Sequence, residues 1–402
     1  QWDDFQRLTF REDPWFRSVK KNYPWSKHEP YPRQFPFSGV TGLGHENDWG
    51  SLPISDDGYD DVATADFVIR FLNDAASSER PFFAACGLFR PHLPWYAPDT
   101  FFQRYSKETI VVPDQPDNDL DDLPAEARKL ASDRRKDLER IEEAGKVKEA
   151  IRAYLASITF ADSQIGRVLD ALESSGKADN TVIVLWSDHG WHLGEKRHWH
   201  KSTLWEEATR VPLIIDVPGM APGVCDRPVS LIDLFPTLNE LTSLPPIASH
   251  DGASLVPLLR SPESEWDRPA VIEFLKGNVA IRSQNFRYIR YRLGGEELYD
   301  HRSDPNEWHN VAGDPAFAGI KKQLAEWMPR TWAEPAPTKN AFEFDPQSFV
   351  SKRKEDGKLK SGRREESERC MLQRCRSWEC SFRWGQTGSM RIPKAIPTSS
   401  CS

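Results

Sequence analysis

Residues 181–190 read TVIVLWSDHG, an apolar β-rich run that leads directly into a Ser-Asp-His-Gly turn. The run lacks alternation of apolar and polar residues, which is typical of a strand covered on both faces. Residues 211–217, VPLIIDV, repeat the pattern. In open α/β sheets, ligands bind just outside the carboxyl ends of strands. The stretch therefore predicts a covered sheet with functional side chains at Asp188 and His189.

Helical patterns flank these strands. Apolar residues from Ile151 to Leu172 recur at helical spacing and end at a Ser-Ser-Gly sequence, which predicts a long amphipathic helix. A second helix is predicted over 61–73, followed by an apolar strand at 81–88. Helices that alternate with apolar strands favour an α/β fold, with a mostly parallel sheet between helices.

The other segments have different patterns. Residues 1–60 are rich in Pro, Trp, Asp and Gly and predict loops, whereas residues 116–147 are mostly charged and predict an exposed helical excursion. Short strands after about residue 265 predict a small antiparallel sheet, and no period remains after about residue 345. We therefore predict an α/β domain over 1–264, a small C-terminal antiparallel-sheet subdomain over 265–345, and an atypical disordered tail over 346–402.

Composition excludes two classes of partner. The 402 residues carry a net charge of −8 and contain no apolar run near the ~20 residues that a membrane helix needs. A negative chain is a poor general binder of nucleic acid. Four of the six cysteines lie at or after Cys370, so they form no dense disulfide framework in the body of the chain. The chain begins at Gln1 without a leader pattern, which favours a processed product or a fragment.

The Asp188-His189 pair has a functional and a structural interpretation. Neighbouring Asp and His side chains can reach one divalent cation where the backbone turns sharply, and Gly190 permits such a turn. The alternative is a turn in which Asp188 caps the next segment and His189 packs. Residues 189–201 hold four histidines, three other cations and two indoles, which favours the functional interpretation.

Lys201 lies ahead of a helix that a Thr203–Glu206 capping box predicts. Helix N-termini favour anions, so Lys201 is a candidate anion ligand, with a solvated surface lysine as the alternative. For His192, His198 and His200 the alternative is packing within the loop.

His92 lies in the sequence Phe-Arg-Pro-His-Leu-Pro, residues 89–94. Prolines on both sides stiffen the backbone, so that a side chain between them is pre-organised. His92 can donate a proton to an anionic oxygen or to a leaving group. A rigid loop whose histidine caps a carbonyl group is the competing interpretation.

In combination these residues resemble the type I sulfatases, and within that family the iduronate-2-sulfatase-like branch. The resemblance covers about residues 20–330. The segments that carry it are SDHGWHLGE (187–195), WHK (199–201), LWEEATRVP (204–212), PFFAACGLFRPHLP (81–94), YLASITFAD (154–162), DLFPTL (233–238) and ELYDHRSDPNEW (297–308).

The resemblance implies an alkaline-phosphatase-like α/β fold and a calcium-dependent sulfuric ester hydrolase. By position, Asp188 and His189 match metal ligands, Lys201 and His92 match catalytic residues that hold the sulfate, and Trp191 matches a position near the sugar of the substrate. The implied substrates are uronic acid units of sulfated polysaccharides or oligosaccharides. A periplasmic, secreted or lysosomal location is implied as well.

Other motifs of the family are absent from this sequence. These are an Asp-Asp pair at the end of the first strand, a Lys and a His that also hold sulfate, and the Cys-x-Pro-x-Arg motif, whose cysteine becomes formylglycine. We therefore expect this chain alone to be inactive, with the formylglycine in a missing N-terminal part. Two alternatives stay open: a phosphoester or phosphonate hydrolase of the same superfamily, and a non-catalytic fragment that binds sulfated glycans.

Overall fold

The structure is a computed structural model that describes residues 37–43, 47–52, 56–132, 136–245 and 249–332, and the backbone of three strands beyond them. The chain forms two compact units, residues 1–332 and 333–402. In the first unit the helices are α1 (Asp60–Ala75), α2 (Asp99–Phe102), α3 (Ala125–Ala131), α4 (Asp137–Glu143), α5 (Val147–Ser174), α6 (Glu206–Thr209), α7 (Leu234–Leu241), α8 (Val256–Arg260) and α9 (Ala318–Ala325). Its strands are β1 (Trp49–Gly50), β2 (Trp95–Tyr96), β3 (Ile183–Trp186), β4 (Leu213–Asp216), β5 (Ala270–Glu273), β6 (Val279–Arg282), β7 (Phe286–Arg290) and β8 (Glu296–Asp300).

The two predicted helices are confirmed as α1 and α5, which pack along each other. The apolar face of α5 contributes Phe160, whose side chain is 1% exposed, to the main core. The ring of Phe160 meets Tyr59 and Phe101 with centroids 5.1 and 5.3 Å apart. The described parts of the predicted loop region 1–60 also bury Trp49 in this core, so that region contributes more than surface.

The pairing of β3 with β4 corrects one part of the prediction. The two strands lie within the predicted runs but pair antiparallel, with Ile183 opposite Asp216 and Trp186 opposite Leu213. A parallel pair needs a crossover connection, usually a helix that returns the chain to the other end of the sheet. Between β3 and β4 lie only the short 3₁₀ helix Glu195–Arg197 and the four-residue helix α6. Among the described strands, only β1 and β2 pair in parallel.

The predicted strand at residues 81–88 is wrong. This segment has no regular secondary structure and joins no sheet among the described residues, and Phe83 is 70% exposed. Phe82 and Cys86 pack against the cluster that α1 and α5 form. The apolar run reports this contact correctly, but an apolar run alone does not show that a partner strand lies alongside.

The charged excursion at residues 116–147 is only partly exposed. It forms α3 and α4, as its helical character predicts, but Leu138 and Ile141 are buried in the main core. Leu123 and Ala127 are buried in a second cluster with residues of the C-terminal sheet. A few apolar residues among many charges are therefore enough to dock this segment.

The predicted C-terminal antiparallel sheet is confirmed. Strands β5, β6, β7 and β8 pair in that order, and each pair is antiparallel. Residues of β6 and β7 are buried on both faces, against α9 on one side and the α3 segment on the other. The predicted boundary at 264/265 is not where the chain divides into compact units, and it stays a prediction.

The second unit contains the short strands β9 (Phe342–Asp345), β10 (Val350–Glu355) and β11 (Lys358–Leu359). They pair antiparallel in the order β11, β10, β9. The absence of structure predicted after about residue 345 is therefore wrong for β10 and β11. Backbone hydrogen bonds can hold a charged strand, which leaves no hydrophobic period to detect. The rest of the predicted tail, residues 346–349, 356–357 and 360–402, lies outside the described residues.

Candidate active site

The turn that contains Asp188 follows β3 directly and packs against α6. The amide of Gly190 donates to the carbonyl oxygen of Ala208 at 2.9 Å. A Cβ atom at Gly190 would collide with the carbonyl oxygen of Glu207. Glycine is required at this position because two backbones approach each other closely.

The imidazole of His189 has two hydrogen-bond partners that indicate its tautomer. Its Nδ1 lies 2.8 Å from the carbonyl oxygen of Gly190, which can only accept, so Nδ1 carries the hydrogen. Its Nε2 therefore accepts from Nζ of Lys201, 2.7 Å away. Burial lowers the pKa of Lys201, and the carboxylate of Asp188 partly opposes this effect. The structure thus brings together two residues that the sequence singles out 12 positions apart.

The predicted capping box ahead of α6 is wrong. The helix begins at Glu206, and its N-cap residue Trp205 makes no capping hydrogen bond from its side chain. The hydroxyl of Thr203 lies instead 2.8 Å from Nε2 of buried His192, and the carboxylate of Glu206 pairs with arginines. The side chains of Thr203 and Glu206 therefore make tertiary contacts and do not cap the helix. Lys201 is therefore placed by its loop and not by a helix N-terminus.

Asp188 and His189 alone do not form a calcium site. The side chain of Asp188 is 83% exposed, and its Oδ1 lies 3.7 Å from Nε2 of His189. Calcium takes six to eight oxygen ligands. The pair offers one carboxylate and one ring nitrogen that already accepts from Lys201, and no third metal-binding side chain within the described ranges joins them.

A different group of three potential metal ligands lies elsewhere: Glu206, His301 and Glu307. Arg287, which is 1% exposed, places Nε 2.6 Å from Oε1 of Glu307 and also pairs with Glu206. Arg282 pairs with Glu206 at 3.0 Å. Two guanidinium groups neutralise the two carboxylates, so the group is a buried ion-pair network.

His92 is held next to the Asp188 turn by a buried carboxylate. Asp61, at the start of α1, accepts from the amides of Phe89 at 2.6 Å and Arg90 at 3.2 Å. Nδ1 of His92 lies 2.6 Å from the carbonyl oxygen of Leu93, so this nitrogen carries the hydrogen. The alternative in which this histidine bonds a carbonyl group is thus also realised.

The ring of His92 lies near other residues that the sequence predicts. Its centroid is 6.5 Å from that of His189 and 6.4 Å from that of Trp191. Burial lowers the pKa of His92, and the nearby charge of Lys201 adds to this effect, while the bond to Leu93 and the carboxylate of Asp188 oppose it. His92 therefore belongs to the same cluster as Lys201.

The indole of Trp191 lies beside the ring of His92. Its side chain is 8% exposed, and its indole Nε1 is buried without a hydrogen-bond partner among the described residues. The ring contacts Trp95 at 5.9 Å and His200 at 5.4 Å between centroids. A buried N–H group with no acceptor is costly, and a ligand that supplies an oxygen would satisfy it.

Sequence analysis missed the acidic residues that support this cluster. Asp61 contacts residues 28 and 29 positions later, and buried Asp137 lies 3.0 Å from His200, which is 63 positions away. No local pattern signals either contact, because each joins segments that are distant in the chain. His198 and His200 pack within the loop as the structural interpretation predicts, the former with Nδ1 3.1 Å from the carbonyl oxygen of Ala131.

None of the described helices combines the length and apolar character that crossing a membrane requires.

Comparison with known proteins gives two family matches. The model of the family described as Sulfatase matches residues 9–244. A model described as N-sulphoglucosamine sulphohydrolase, C-terminal, matches residues 194–333. Together the two matches include the whole of the cluster described above.

Individual relatives are similar over part of their length. A sulfatase of Formosa agariphila is 40% identical over 286 residues, which are 71% of this chain and 56% of that protein. Mouse iduronate 2-sulfatase is 28% identical, over 68% of this chain and 64% of the relative. A solved phosphonate monoester hydrolase of Silicibacter pomeroyi is 25% identical with a TM-score of 0.62, over 84% of this chain and 74% of that chain. The chain thus spans less than two thirds of each of these two curated relatives.

Proposed function

This chain belongs to the sulfatase family, with the predicted alkaline-phosphatase-like α/β fold, and on that premise we propose that it carries part of the active site of a sulfuric ester hydrolase. The observation that carries the proposal is a chain of contacts: Lys201 bonds His189, the ring of His189 lies beside that of His92, and the ring of His92 lies beside the indole of Trp191. The ammonium of Lys201, the imidazole of His92 when its Nε2 is protonated, and the buried N–H of Trp191 can each donate to a tetrahedral anion.

The individual roles follow from what each side chain can do. Lys201 and His92 would hold the sulfate and stabilise charge as the S–O bond breaks. Trp191 would contact the sugar. Asp188, which is exposed enough to reach a cation, would contribute to a Ca²⁺ site, and His189 would join it when its Nε2 no longer accepts from Lys201.

Sulfatases generally use a metal ion and a formylglycine. The sequence contains no Cys-x-Pro-x-Arg motif, and Asp188 and His189 offer only two donors. The nucleophile and the remaining metal ligands would therefore come from further polypeptide, so that this chain alone is inactive. We also propose that the protein is periplasmic, secreted or lysosomal.

For the substrate, we propose uronic acid units of sulfated polysaccharides. The likeness to mouse iduronate 2-sulfatase supports this choice. The likeness to a phosphonate monoester hydrolase favours the alternative, a phosphoester or phosphonate hydrolase. A catalytically inactive fragment that binds sulfated glycans is the remaining alternative.

The test joins this chain to the part of the Formosa agariphila sulfatase that it does not match, and measures kcat/KM for an aryl sulfate and an aryl phosphonate monoester. We expect the sulfate ester to be preferred. Lys201→Ala should lower turnover by about 10²-fold or more, since removal of one pre-organised donor commonly does so. Asp188→Ala should abolish Ca²⁺-dependent turnover.

Lys322→Ala, which removes an exposed lysine of α9, is the matched control and should leave the rate unchanged. A wild-type rate in Lys201→Ala would exclude the sulfate-holding role. Preference for the phosphonate ester would establish the alternative. Sulfated-glycan binding without hydrolysis would support the inactive fragment.

A further inference from the structure

We propose that Asp137 and His200 form a positioning pair, which holds the side chains of Trp191 and Lys201 in place. The proposal rests on the proposed function, since it concerns the same sulfate site. Neither residue would touch the substrate. Both would act through the two neighbours whose orientation they set.

Asp137 is a buried carboxylate with specific partners. It is the first residue of α4, and its side chain is 1% exposed. Its Oδ2 accepts from Nδ2 of Asn47 at 2.8 Å and lies 3.0 Å from Nε2 of His200. The guanidinium of Arg140 lies 3.8 Å from Oδ1. A buried carboxylate is costly unless it accepts hydrogen bonds, so the contact with His200 stabilises the folded loop.

The bond defines which nitrogen of His200 carries hydrogen. An ionised carboxylate only accepts, so Nε2 of His200 must be the donor to Asp137. The imidazole is then fixed in one orientation, as carboxylates orient the histidines of metal and catalytic sites.

His200 connects directly to both site residues. Its ring meets the indole of Trp191 edge-on, with centroids 5.4 Å apart and an interplanar angle of 71°. Its carbonyl oxygen accepts from the amide of His192 at 2.9 Å, and Lys201 is the next residue. The carbonyl of Lys201 in turn accepts from the amide of Thr203 at 2.8 Å. The side chain and the backbone of His200 therefore define where the indole and the ammonium group lie.

The pair also connects an otherwise distant segment to the site. Asp137 belongs to the charged region 116–147, which supplies none of the predicted site residues. Loss of Asp137 would free the imidazole of His200 to rotate, and the indole of Trp191 would lose one of the rings that hold it. The lysine would then sample more positions, which raises the entropy cost of holding an anion.

The experiment uses the isolated chain and the variants Asp137→Asn, His200→Ala and the double variant. Ring-¹⁵N NMR of histidine reports the tautomer of His200, and the indole ¹⁵N–H signal reports Trp191. We expect the Nε2–H tautomer in the wild type, a mixture of tautomers in Asp137→Asn, and a shifted indole signal in both single variants. Inorganic sulfate at constant ionic strength is the binding probe.

Each single variant should weaken sulfate binding by roughly 10-fold, a typical effect of removing a supporting group. The double variant should lose little more, since both changes break the same contact. Asp233→Asn is the control. The side chain of Asp233 is buried, with the residue 4% exposed, and accepts from the amides of Ser230 and Ala253, none of which belongs to the candidate site. It should lower the unfolding temperature but leave sulfate affinity unchanged.

If Asp137→Asn leaves the tautomer and the indole signal unchanged, or weakens sulfate binding no more than Asp233→Asn does, the positioning role is wrong. If His200→Ala does not fold, His200→Gln takes its place, because glutamine can still donate to Asp137. The indole signal and the sulfate affinity are then measured on that variant. If the wild-type chain binds no sulfate, the proposed function fails, while the two NMR signals still decide whether the pair positions Trp191.

Discussion

At the scale of single residues, the described part of the chain buries charged groups by pairing them. Glu206 shows the balance of effects. Burial raises the pKa of its carboxyl group, but the charges and hydrogen bonds of Arg287 and Arg282 outweigh burial and lower the pKa to about 2. The ionised form of Glu206 thus stabilises the folded state, and this network joins α6 to the C-terminal sheet.

Glu206→Gln should therefore destabilise the fold in a pH-dependent way. Because the folded pKa is about 2 and the ordinary value is 4.5, the contribution of Glu206 is complete above pH 4.5 and is lost as the pH falls towards 2. We expect a loss of roughly 3 kcal/mol at pH 7 that shrinks at pH 3. Urea unfolding at both pH values measures it, with exposed Glu173→Gln as control. A loss of equal size at both pH values would contradict the prediction.

At the scale of elements, α5 is the helix on which the core depends. It has 28 residues and packs on α1. The predicted helix is confirmed, but only some of the apolar residues between Ile151 and Leu172 are buried, and Leu169 is 39% exposed. Two residues that lie two positions apart show the buried and the exposed face of this helix. Phe160 is 1% exposed in the core, whereas Ile158 is 38% exposed on the opposite face.

Phe160→Ala should lower the free energy of unfolding by about 3–5 kcal/mol, because it leaves a cavity among aromatic side chains. Ile158→Ala removes an exposed side chain of the same helix and should cost less than about 1 kcal/mol. Chemical denaturation of both variants at neutral pH compares them. Similar losses for the two variants would mean that the assigned faces of α5 are wrong.

At the scale of the whole molecule, the β3–β4 pair exposes apolar surface. Trp186 is 49% and Ile214 is 58% exposed, and among the described residues this sheet has only two strands. Apolar strands with unpaired edges favour association between molecules. The sequence predicts strands covered on both faces here, so the exposure is a departure from the prediction.

Ile214→Lys should reduce self-association of the chain at high protein concentration. Because this side chain is exposed, the unfolding temperature should change by less than about 3 °C. Sedimentation velocity over a concentration series measures the associated fraction. Leu293→Lys, which changes an 81% exposed leucine in the turn between β7 and β8, is the control and should have no such effect. Equal association in both variants would exclude the β3–β4 face as the cause.

The sequence by itself determined the helices α1 and α5, the C-terminal antiparallel sheet and the motif that identifies the family. Each of these depends on local periodicity or on residues that are close in the chain, such as those of the Asp188 turn. The meeting of Lys201 with His92 was predicted through the resemblance and not from any spacing.

Only the tertiary structure decided the antiparallel pairing of β3 with β4, the unpaired segment 81–88 and the support that Asp61 and Asp137 give to the site. These features depend on which backbone or polar group lies opposite another across long stretches of chain. Hydrophobic periodicity records how much of a residue is buried, but hydrogen-bond partners are chosen by three-dimensional proximity, which no local pattern encodes.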